Sequence, residues 1–477
     1  MRSALCVWAG PAHMAATLWT ALALGTPACT PAEIAPLDRD LTRLPIAGLS
    51  QDGRMDVGPL PAEKPPGFDQ PRDEAELRAW LKQADGPAKI WLGPRTWNGD
   101  WLMERSVEIR GAGPKTVLQG SGTGTVVEIR GANSALANLT IRGTGSRHTT
   151  EDAAVKAKGT GHRLERLHLQ NVLFGAALGE CRDCTVDRLH VQGMAGDAEL
   201  RGDGIKLWES HGSVVRHCLV EQVRDVVVWY SRHVTLDGNV VRNSRYGSHF
   251  MYAHDAVVQR SAVIDNVVGI FVMYSARLLV EGNVIAGARG AAGVGLGFKD
   301  SDDITVQGNW LVANTVGSYL DTSPRTPQQP VKLLGNVLAL NQVALRFHAQ
   351  PHGVHLLGND FAQNAEVAQV DGGGDATTAE VAGNFWSDYA GYDLNSDGVG
   401  DVAHEIRRLS AALTDAHPPL QLLRGTAALA SLDAIAQAVP VLASQQLIID
   451  RTPRMESHNP LHGGADKRPN PPQKAVN

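Results

Sequence analysis

A short repeat limits the fold of this chain more than any other feature of its sequence. The pattern is V-x-L-x-G-N-V, and the position of its asparagine recurs at steps of 21 to 29 residues from Leu139 to Asn384. The clearest copies are VTLDGNV (234–240), LLVEGNV (278–284), ITVQGNW (304–310), VKLLGNV (331–337), VHLLGND (354–360) and AEVAGNF (379–385). A period of this length is typical of stacked-repeat proteins, in which each unit contacts only its neighbours.

Each repeat unit consists of short alternating Val, Ile and Leu runs that are separated by Gly, Asn or Asp. This pattern favours strands joined by tight corners. We therefore predict an all-β fold, a right-handed parallel β-helix whose coils stack about 4.8 Å apart. Leucine-rich repeats are the rival architecture, but their Leu-x-x-Leu-x-Leu signature is missing.

The flanking segments predict how the solenoid begins and ends. An N-terminal stretch from Arg2 through the apolar run Met14–Gly25 to small residues is typical of a secretory signal, with an uncleaved anchor as the alternative. DEAELRAWLKQA (73–84) predicts a helical cap, and 410–443 carries a helical pattern. The predicted organisation is a signal peptide (1–32), an N-terminal linker (33–72), a β-helix (73–404), a helical C-terminal extension (405–454) and a flexible tail (455–477).

Composition narrows the class of function. The chain is 43% hydrophobic and 20% charged, so it can bury a large core, and its net charge of −6 gives no reason to expect a nucleic-acid partner. The signal predicts a periplasmic location in a Gram-negative cell. Cys181 and Cys184 have C-x-x-C spacing, which leaves structural thiols, a local disulfide, a redox pair and a metal site open.

Two similar clusters, HFMY (249–252) and FVMY (271–274), lie one repeat apart. Aligned coils predict an interior column of apolar residues: Leu207, Val228, Phe250, Val272, Leu296 and Leu320. Because side chains alternate across a strand, the flanking columns point outwards. These columns are Trp208, Trp229, Met251, Met273; Lys206, Val227, His249, Phe271; and Glu209, Tyr230, Tyr252, Tyr274, Phe298.

An outward column of large apolar side chains is typical of a binding surface. We predict that it binds a partner protein through Trp208, Trp229, Tyr230, Tyr252 and Tyr274. Thioether and imidazole groups suit Cu(I), so His249, Met251 and Met273 form a candidate transient copper site. The alternatives are a second core covered by another segment, or a sugar-binding stripe. The apolar segment Leu420–Asp450 is a further candidate docking surface, for a membrane subunit.

Two acidic segments suggest other chemistry. The sequence D-x-N-x-D-G-x-G-D predicts a Ca²⁺ loop that uses Asp393, Asn395, Asp397 and Asp401, although the twelfth position is His404 instead of Glu. A hydrogen-bonded Asx turn is the alternative. Four carboxylates on neighbouring coils, Asp300, Asp302, Asp303 and Asp321, fit either the site of a polysaccharide enzyme or a solvated corner.

The block GNFWSDYAGYDLNSDGVGD (383–401), with YGSHFMYAHD, VGIFVMYSARLLVEGN and GLGFKDSDDITVQGN, resembles the NosD family of periplasmic β-helical proteins that mature the copper enzyme nitrous oxide reductase. The resemblance covers roughly Ile90 to Pro453, and the Trp-Ser-Asp-Tyr-x-Gly-Tyr-Asp block is its most specific part.

The resemblance implies a β-helix of the carbohydrate-binding/sugar-hydrolase type without demonstrated enzyme activity. It also implies an ABC transporter partner and delivery of copper, or assembly of the copper–sulfur centre of the reductase, with a copper chaperone as a further partner. It identifies no copper ligands. A lyase, hydrolase or epimerase that acts on polysaccharides is the alternative function, because a fold does not fix a function.

Overall fold

The structure is a computed structural model that describes residues 63–371, 374–407, 410, 413, 417–423, 426–438 and 446–458. Within these ranges the chain winds into a parallel β-helix, which confirms the predicted fold class. One wall is a twelve-stranded parallel sheet made of Trp101–Met103, Val127–Ile129, Ala153–Thr160, Phe174–Arg182, Ile205–Trp208, Asp225–Trp229, Tyr246–Met251, Val268–Met273, Val294–Lys299, Val316–Asp321, Val343–Phe347 and Glu366–Val370.

The remaining walls belong to a single 24-stranded sheet. Its strands in the described chain are Lys89–Leu92, Thr96–Asn98, Glu108–Gly111, Val117–Gln119, Ala135–Arg142, Arg163–Val172, Thr185–Asp187, His190–Gly193, Val214–Arg216, Leu219–Glu221, Thr235–Asp237, Val240–Arg242, Val257–Gln259, Ala262–Ile264, Ala276–Glu281, Val284–Ala286, Asp302–Gln307, Trp310–Val312, Val331–Leu334, Val337–Ala339, Val354–Leu357, Asp360–Ala362, Glu380–Ala382 and Phe385–Trp386. Each strand pairs with its equivalent one coil further along.

The repeated asparagines point inwards and bond one coil to the next. In the second half of the solenoid, each ladder asparagine donates its backbone N–H to the side-chain oxygen of the equivalent asparagine in the next coil. Asn309 N donates to Asn336 Oδ1 (2.9 Å), and Asn336 N donates to Asn359 Oδ1 (2.9 Å). The asparagine Nδ2 donates back to a carbonyl such as Val306 O (2.9 Å). This ladder satisfies polar groups that a buried corner would otherwise leave unpaired.

A serine ladder runs along the corner that ends the twelve-stranded sheet. Ser275 N donates to Ser301 Oγ (3.2 Å), and Ser301 N donates to Ser323 Oγ (3.0 Å). Ser210 N donates to Ser231 Oγ in the same way three coils before the Ser275–Ser301 bond (2.9 Å). The ladder holds the corner at a constant position from coil to coil, and so it fixes the residues just before it.

The interior column is as predicted at Leu207, Val228, Phe250, Val272 and Leu320, but Leu296 is wrong. Val272 pairs with Phe298, and Leu296 pairs with Ile270. Phe298 is fully buried, so its predicted outward position is also wrong. The cause is the longer coil before this strand, whose extra residues lie in the turn at 287–293. Asp300 takes the corner position that follows Tyr274.

A predicted helix covers the N-terminal end of the solenoid. Helix α1 spans Glu74–Lys82, and Asp73 caps it by accepting a hydrogen bond from Glu76 N (2.9 Å). Leu77 and Leu81 are buried against the first coils. A short 3₁₀ turn, Ala198–Leu200, lies on a loop farther along the chain.

The C-terminal extension combines helix and strand. It contains a 3₁₀ turn (Pro418–Leu423) and helix α2 (Ala427–Ala438), and it is closed by an antiparallel pair of strands, His404–Arg407 and Gln446–Asp450. Leu447 and Ile448 are buried in the main core. The extension was predicted to be helical, but it also contains a strand, Gln446–Asp450, whose apolar residues pack into the main core.

Candidate functional site

The two aromatic and methionine clusters lie on the outer surface of the twelve-stranded sheet. Trp208, Trp229, Met251 and Met273 pair in register on four successive strands, as the repeat predicts. We call this column and its two neighbours, which contain His249 and Tyr252, the aromatic–methionine face. Met251, Met273 and His249 are half-buried, so the face is partly covered by its own side chains.

Three tyrosines form a stack along one edge of this face. Tyr230, Tyr252 and Tyr274 each have a left-handed backbone, with φ of 52°, 50° and 50°, because the chain turns there into the serine corner. Their rings lie 5.2 Å and 5.1 Å apart and are tilted by only 13° and 17°. Since the ring planes contact each other, the stack presents mainly ring edges and hydroxyl groups to solvent. Tyr230 and Tyr252 are 39% and 42% exposed.

The structure brings an imidazole and a thioether together on adjacent coils. His249 Nε2 lies 3.4 Å from Met273 Sδ. Met251 pairs in register with Met273, so its side chain leaves the sheet beside that of Met273. The three predicted copper ligands therefore share one small region of the face. In the described part of the chain, no three His, Cys, Asp or Glu side chains form an arrangement that could hold a metal ion.

A carboxylate and a tyrosine hold the His249 ring. Its Nδ1 is buried without a hydrogen bond among the described residues, and it lies 3.7 Å from Asp225 Oδ2. The Tyr246 ring stacks on the imidazole, with centroids 4.7 Å apart. Arg245 in turn donates two hydrogen bonds to Asp225, at 2.9 Å and 2.5 Å. Burial acts to raise the pKa of Asp225, yet His249 and Arg245 hold that pKa below its usual value.

This arrangement can select one tautomer of the His249 ring. A proton on Nδ1, facing Asp225, leaves the lone pair of Nε2 directed towards Met273. Histidine ligands in proteins usually have such a carboxylate behind the ring. The sequence pattern did not predict that Asp225, Arg245 and Tyr246 surround His249. The signal that could have indicated the Asp225–Arg245 pair is an acidic and a basic residue at equivalent positions one coil apart. Asp203 and Arg224 repeat this pairing one coil earlier, at 2.9 Å and 3.0 Å.

The two predicted tryptophan anchors have different surroundings. Trp208 is 36% exposed and contacts Tyr230, with centroids 4.9 Å apart. Trp229 is half-buried, and its ring lies perpendicular to that of His249 at 5.5 Å. The ammonium group of Lys206 lies 5.5 Å from the Trp208 ring and 5.9 Å from the Trp229 ring. Trp208 therefore lies on the solvent side of the face, and Trp229 packs beside the His249 ring.

The cysteines lie inside the solenoid. Cys181, Cys184 and Cys218 are free thiols and are buried. Burial raises the pKa of the Cys218 thiol to about 12. The backbone N–H groups of Cys181 and Cys184 donate to Ser210 Oγ and Ser213 Oγ of the next coil, both at 3.3 Å. Among the readings that the sequence left open, these contacts favour structural thiols.

The predicted calcium loop is closed by its own hydrogen bonds. Asp393 accepts from Gly398 N (2.8 Å), Asp397 accepts from Val399 N (2.8 Å), and Asp401 accepts from Leu394 N (2.7 Å). Asn395 accepts from Asp397 N at 3.0 Å. Calcium binding here stays a prediction, and these contacts do not support it, because they describe an Asx turn without an ion.

Two of the four acidic residues proposed for a polysaccharide site have hydrogen-bond or ionic partners on neighbouring coils. Asp302 is buried and accepts from Thr326 N (2.8 Å), and Asp321 pairs with Lys299 at 2.6 Å. These contacts join neighbouring coils at the corner and give both carboxylates a structural role there, although Asp302 is buried and not solvated.

Comparison with known proteins supplies the family. A family model described as "Periplasmic copper-binding protein (NosD)" matches residues 183–391, the stretch that contains the whole aromatic–methionine face. This match and the relatives below support a NosD-type protein with a β-helix fold. That result agrees with the resemblance of the Trp-Ser-Asp-Tyr block and its neighbouring segments.

Two named relatives have NosD-type sequences. The "Probable ABC transporter binding protein NosD" of Stutzerimonas stutzeri is 27% identical over 76% of this chain and 86% of the relative. The protein of the same name from Pseudomonas aeruginosa is 31% identical over a shorter alignment, which covers 24% of this chain and 27% of the relative. Both names describe binding proteins and not enzymes.

The β-helix also resembles a solved enzyme structure. The A-module of the mannuronan C-5 epimerase AlgE6 of Azotobacter vinelandii superposes with a TM-score of 0.54 over 69% of this chain and 97% of the module. The sequence identity is 13%, so the likeness concerns the fold alone.

Some predictions fall outside the described residues of the NosD-type chain. The signal peptide (1–32) and most of the linker (33–72) and tail (455–477) lie there. Within the described ranges, no helix has the length and apolar character needed to cross a membrane.

Proposed function

We propose that this NosD-type protein is an accessory factor for maturation of nitrous oxide reductase, and that it assists copper delivery in the periplasm together with an ABC transporter. In this proposal, residues 1–32 direct export, and Cu(I) is a transient cargo held by His249, Met251 and Met273. The family description as a periplasmic copper-binding protein and the transporter in the relatives' names support it.

The approach of His249 Nε2 to Met273 Sδ carries the copper assignment. For zinc, another closed-shell ion, bonds to nitrogen and sulfur are about 2.0 Å and 2.3 Å, so two such ligands at a tetrahedral angle are about 3.5 Å apart. The separation in this protein is 3.4 Å. Imidazole and thioether are neutral ligands that suit Cu(I). A site without ligand charge also releases the ion to a stronger acceptor, as delivery requires.

The exposed edge of the same face supports a protein partner beside the ion. Aromatic side chains near the centre of a protein–protein interface typically contribute a large share of the binding free energy. Stacking leaves few free ring planes on Tyr230, Tyr252 and Tyr274, whereas sugars bind to aromatic ring planes. The face therefore favours a protein surface, that of the reductase or a copper chaperone, over a polysaccharide. On this basis we propose that the protein is not an enzyme.

The copper site is tested by the double change Met251→Leu and Met273→Leu. Leucine keeps most of the methionine volume, so the variant should fold with a similar melting temperature. We expect it to lose Cu(I) in an anaerobic competition titration and to give copper-deficient reductase in cells. Phe271→Leu, on the same face but without a donor atom, is the matched control and should bind Cu(I) normally.

Two outcomes would decide against this proposal. Normal Cu(I) binding by the double methionine variant would remove the metal site. Shortened or unsaturated products from uronate polymers incubated with the wild-type protein would establish the alternative function as a polysaccharide-active enzyme.

A further inference from the structure

Trp229 is placed to be part of the metal site and not only of a docking surface. It pairs in register with Met251 on the adjacent strand, and its ring is perpendicular to that of His249 at 5.5 Å. Its Nε1 is buried and has no hydrogen-bond partner among the described residues. The ring is therefore held by packing, and the rings of His249 and Trp208 are among its neighbours.

Trp208 gives an internal comparison, because it is the same residue type in the same column, one coil earlier. Its ring contacts Trp229 at 6.0 Å and Tyr230 at 4.9 Å, and it is more exposed. Of the two tryptophans, only Trp229 has a ring contact with His249. An aromatic anchor for a partner would resemble Trp208, whereas Trp229 is turned towards the donors.

The coordination chemistry of Cu(I) suggests a function for the Trp229 ring. One imidazole and two thioethers leave one side of a Cu(I) ion open to water and oxidants. The face of an indole attracts a cation through its quadrupole, and tryptophan is the best side chain for that interaction. The ammonium group of Lys206 already lies 5.9 Å from the Trp229 ring, on the coil that precedes it. His249 lies on the coil that follows.

We propose that Trp229 covers the open side of Cu(I) through a cation–π contact and shields the ion from water. This inference rests on the proposed copper site and adds a fourth member to it. It moves Trp229 from the predicted partner anchors to the metal site and leaves Trp208 and the tyrosine stack as the docking surface.

The experiment is an anaerobic Cu(I) titration of the purified full chain, followed by near-ultraviolet difference absorption and tryptophan fluorescence. Because the chain has ten tryptophans, the signal is compared between variants. We expect wild-type protein to show quenching and an indole difference band, and Trp229→Phe to lose both. Trp229→Leu should weaken Cu(I) binding by about five- to thirtyfold, with Trp229→Phe between it and the wild type. Trp208→Leu should behave as wild type.

The outcomes separate the two proposals. If the double methionine variant loses Cu(I) but Trp229→Leu binds it with wild-type affinity and spectrum, the role of Trp229 is wrong and the copper site stands. If the double methionine variant binds Cu(I) normally, the copper site itself fails. Trp229→Phe keeps an aromatic ring in the packed position, so it serves as the folded reference if Trp229→Leu is unstable.

Discussion

Asp450 and Asn384 are 66 residues apart in sequence, and a hydrogen bond from Asn384 N to Asp450 Oδ2 (2.9 Å) ends the asparagine ladder. The same carboxylate oxygen accepts from Asn384 Nδ2 (3.0 Å) and from Trp386 Nε1 (3.1 Å). Trp386 belongs to the most specific block of the family resemblance. That block therefore serves, at least in part, to close the solenoid.

Removal of this cap should destabilise the last coils. Asp450→Ala leaves the buried backbone N–H of Asn384 and the indole N–H of Trp386 without an acceptor, and we expect a loss of about 3 to 5 kcal/mol in the free energy of unfolding. Asp450→Asn keeps one oxygen that can accept two bonds, so it should lose less. Urea unfolding of the three proteins measures the difference, and equal stability of Asp450→Ala and wild type would contradict the capping role.

The middle of the ladder should be equally sensitive. Asn336→Ala removes the acceptor of two bonds from Asn309 and the donor to Val306 O, which should cost about 2 to 4 kcal/mol. Asn336→Ser is the control, because Ser261 accepts from Asn239 N (3.1 Å) at the same place in another coil. We expect the serine variant to unfold at a urea concentration between those of wild type and Asn336→Ala. A serine variant no more stable than the alanine variant would argue against the ladder bond.

Asp203 should give stability a pH dependence. Burial raises the pKa of this carboxyl to about 6, although Arg224 acts in the opposite direction. A group whose pKa is higher in the folded than in the unfolded state contributes stability at low pH, and this contribution is lost as pH rises from about 4 to about 6. Asp203→Asn does not titrate, so its melting temperature should rise relative to wild type across this window. A difference that stays constant from pH 4 to pH 7 would show that Asp203 does not titrate there.

The loop at 393–401 is either an Asx turn or a calcium site, and thermal unfolding distinguishes the two. Because Asp393, Asp397 and Asp401 accept backbone hydrogen bonds, an Asx turn alone predicts the same melting temperature with EDTA and with added Ca²⁺. Asp393→Ala should lower it in both conditions, since Gly398 N loses its acceptor. A rise with Ca²⁺ that disappears in Asp393→Ala would instead establish calcium binding.

In the proposed function, the exposed apolar residues of the C-terminal extension form the surface on which the transporter docks. Leu422, Leu432 and Ile435 face solvent, in contrast to Leu447 and Ile448 of the closing strand. Replacing the three exposed residues by Gln should leave the β-helix folded and reduce co-purification with the membrane subunit at least tenfold. Truncation after Ile406 is unsuitable as a test, because it also removes Asp450. Unchanged co-purification of the triple variant would place docking elsewhere.

The sequence by itself determined the solenoid, its asparagine ladder and the outward position of His249, Met251 and Met273. These features follow from a local pattern that every coil repeats, because alternation along a strand and stacking at a constant spacing act on each unit in the same way. Wherever coil length was regular, residues one repeat apart became neighbours. The N-terminal helix was also predictable, since its Asp73 cap and its apolar spacing are local signals.

Only the tertiary structure decided the contacts that depend on how loops of unequal length are accommodated. The longer coil before Phe298 shifted the register, so that Phe298 and not Leu296 entered the interior column. The Asp225 carboxylate approaches His249 from the preceding coil, and a register shift between Tyr246 and His249 brings their two rings together on one strand. Asp450 reaches Asn384 only after the C-terminal extension has folded back. These distances depend on the path of the chain between the residues, which a repeat pattern does not contain.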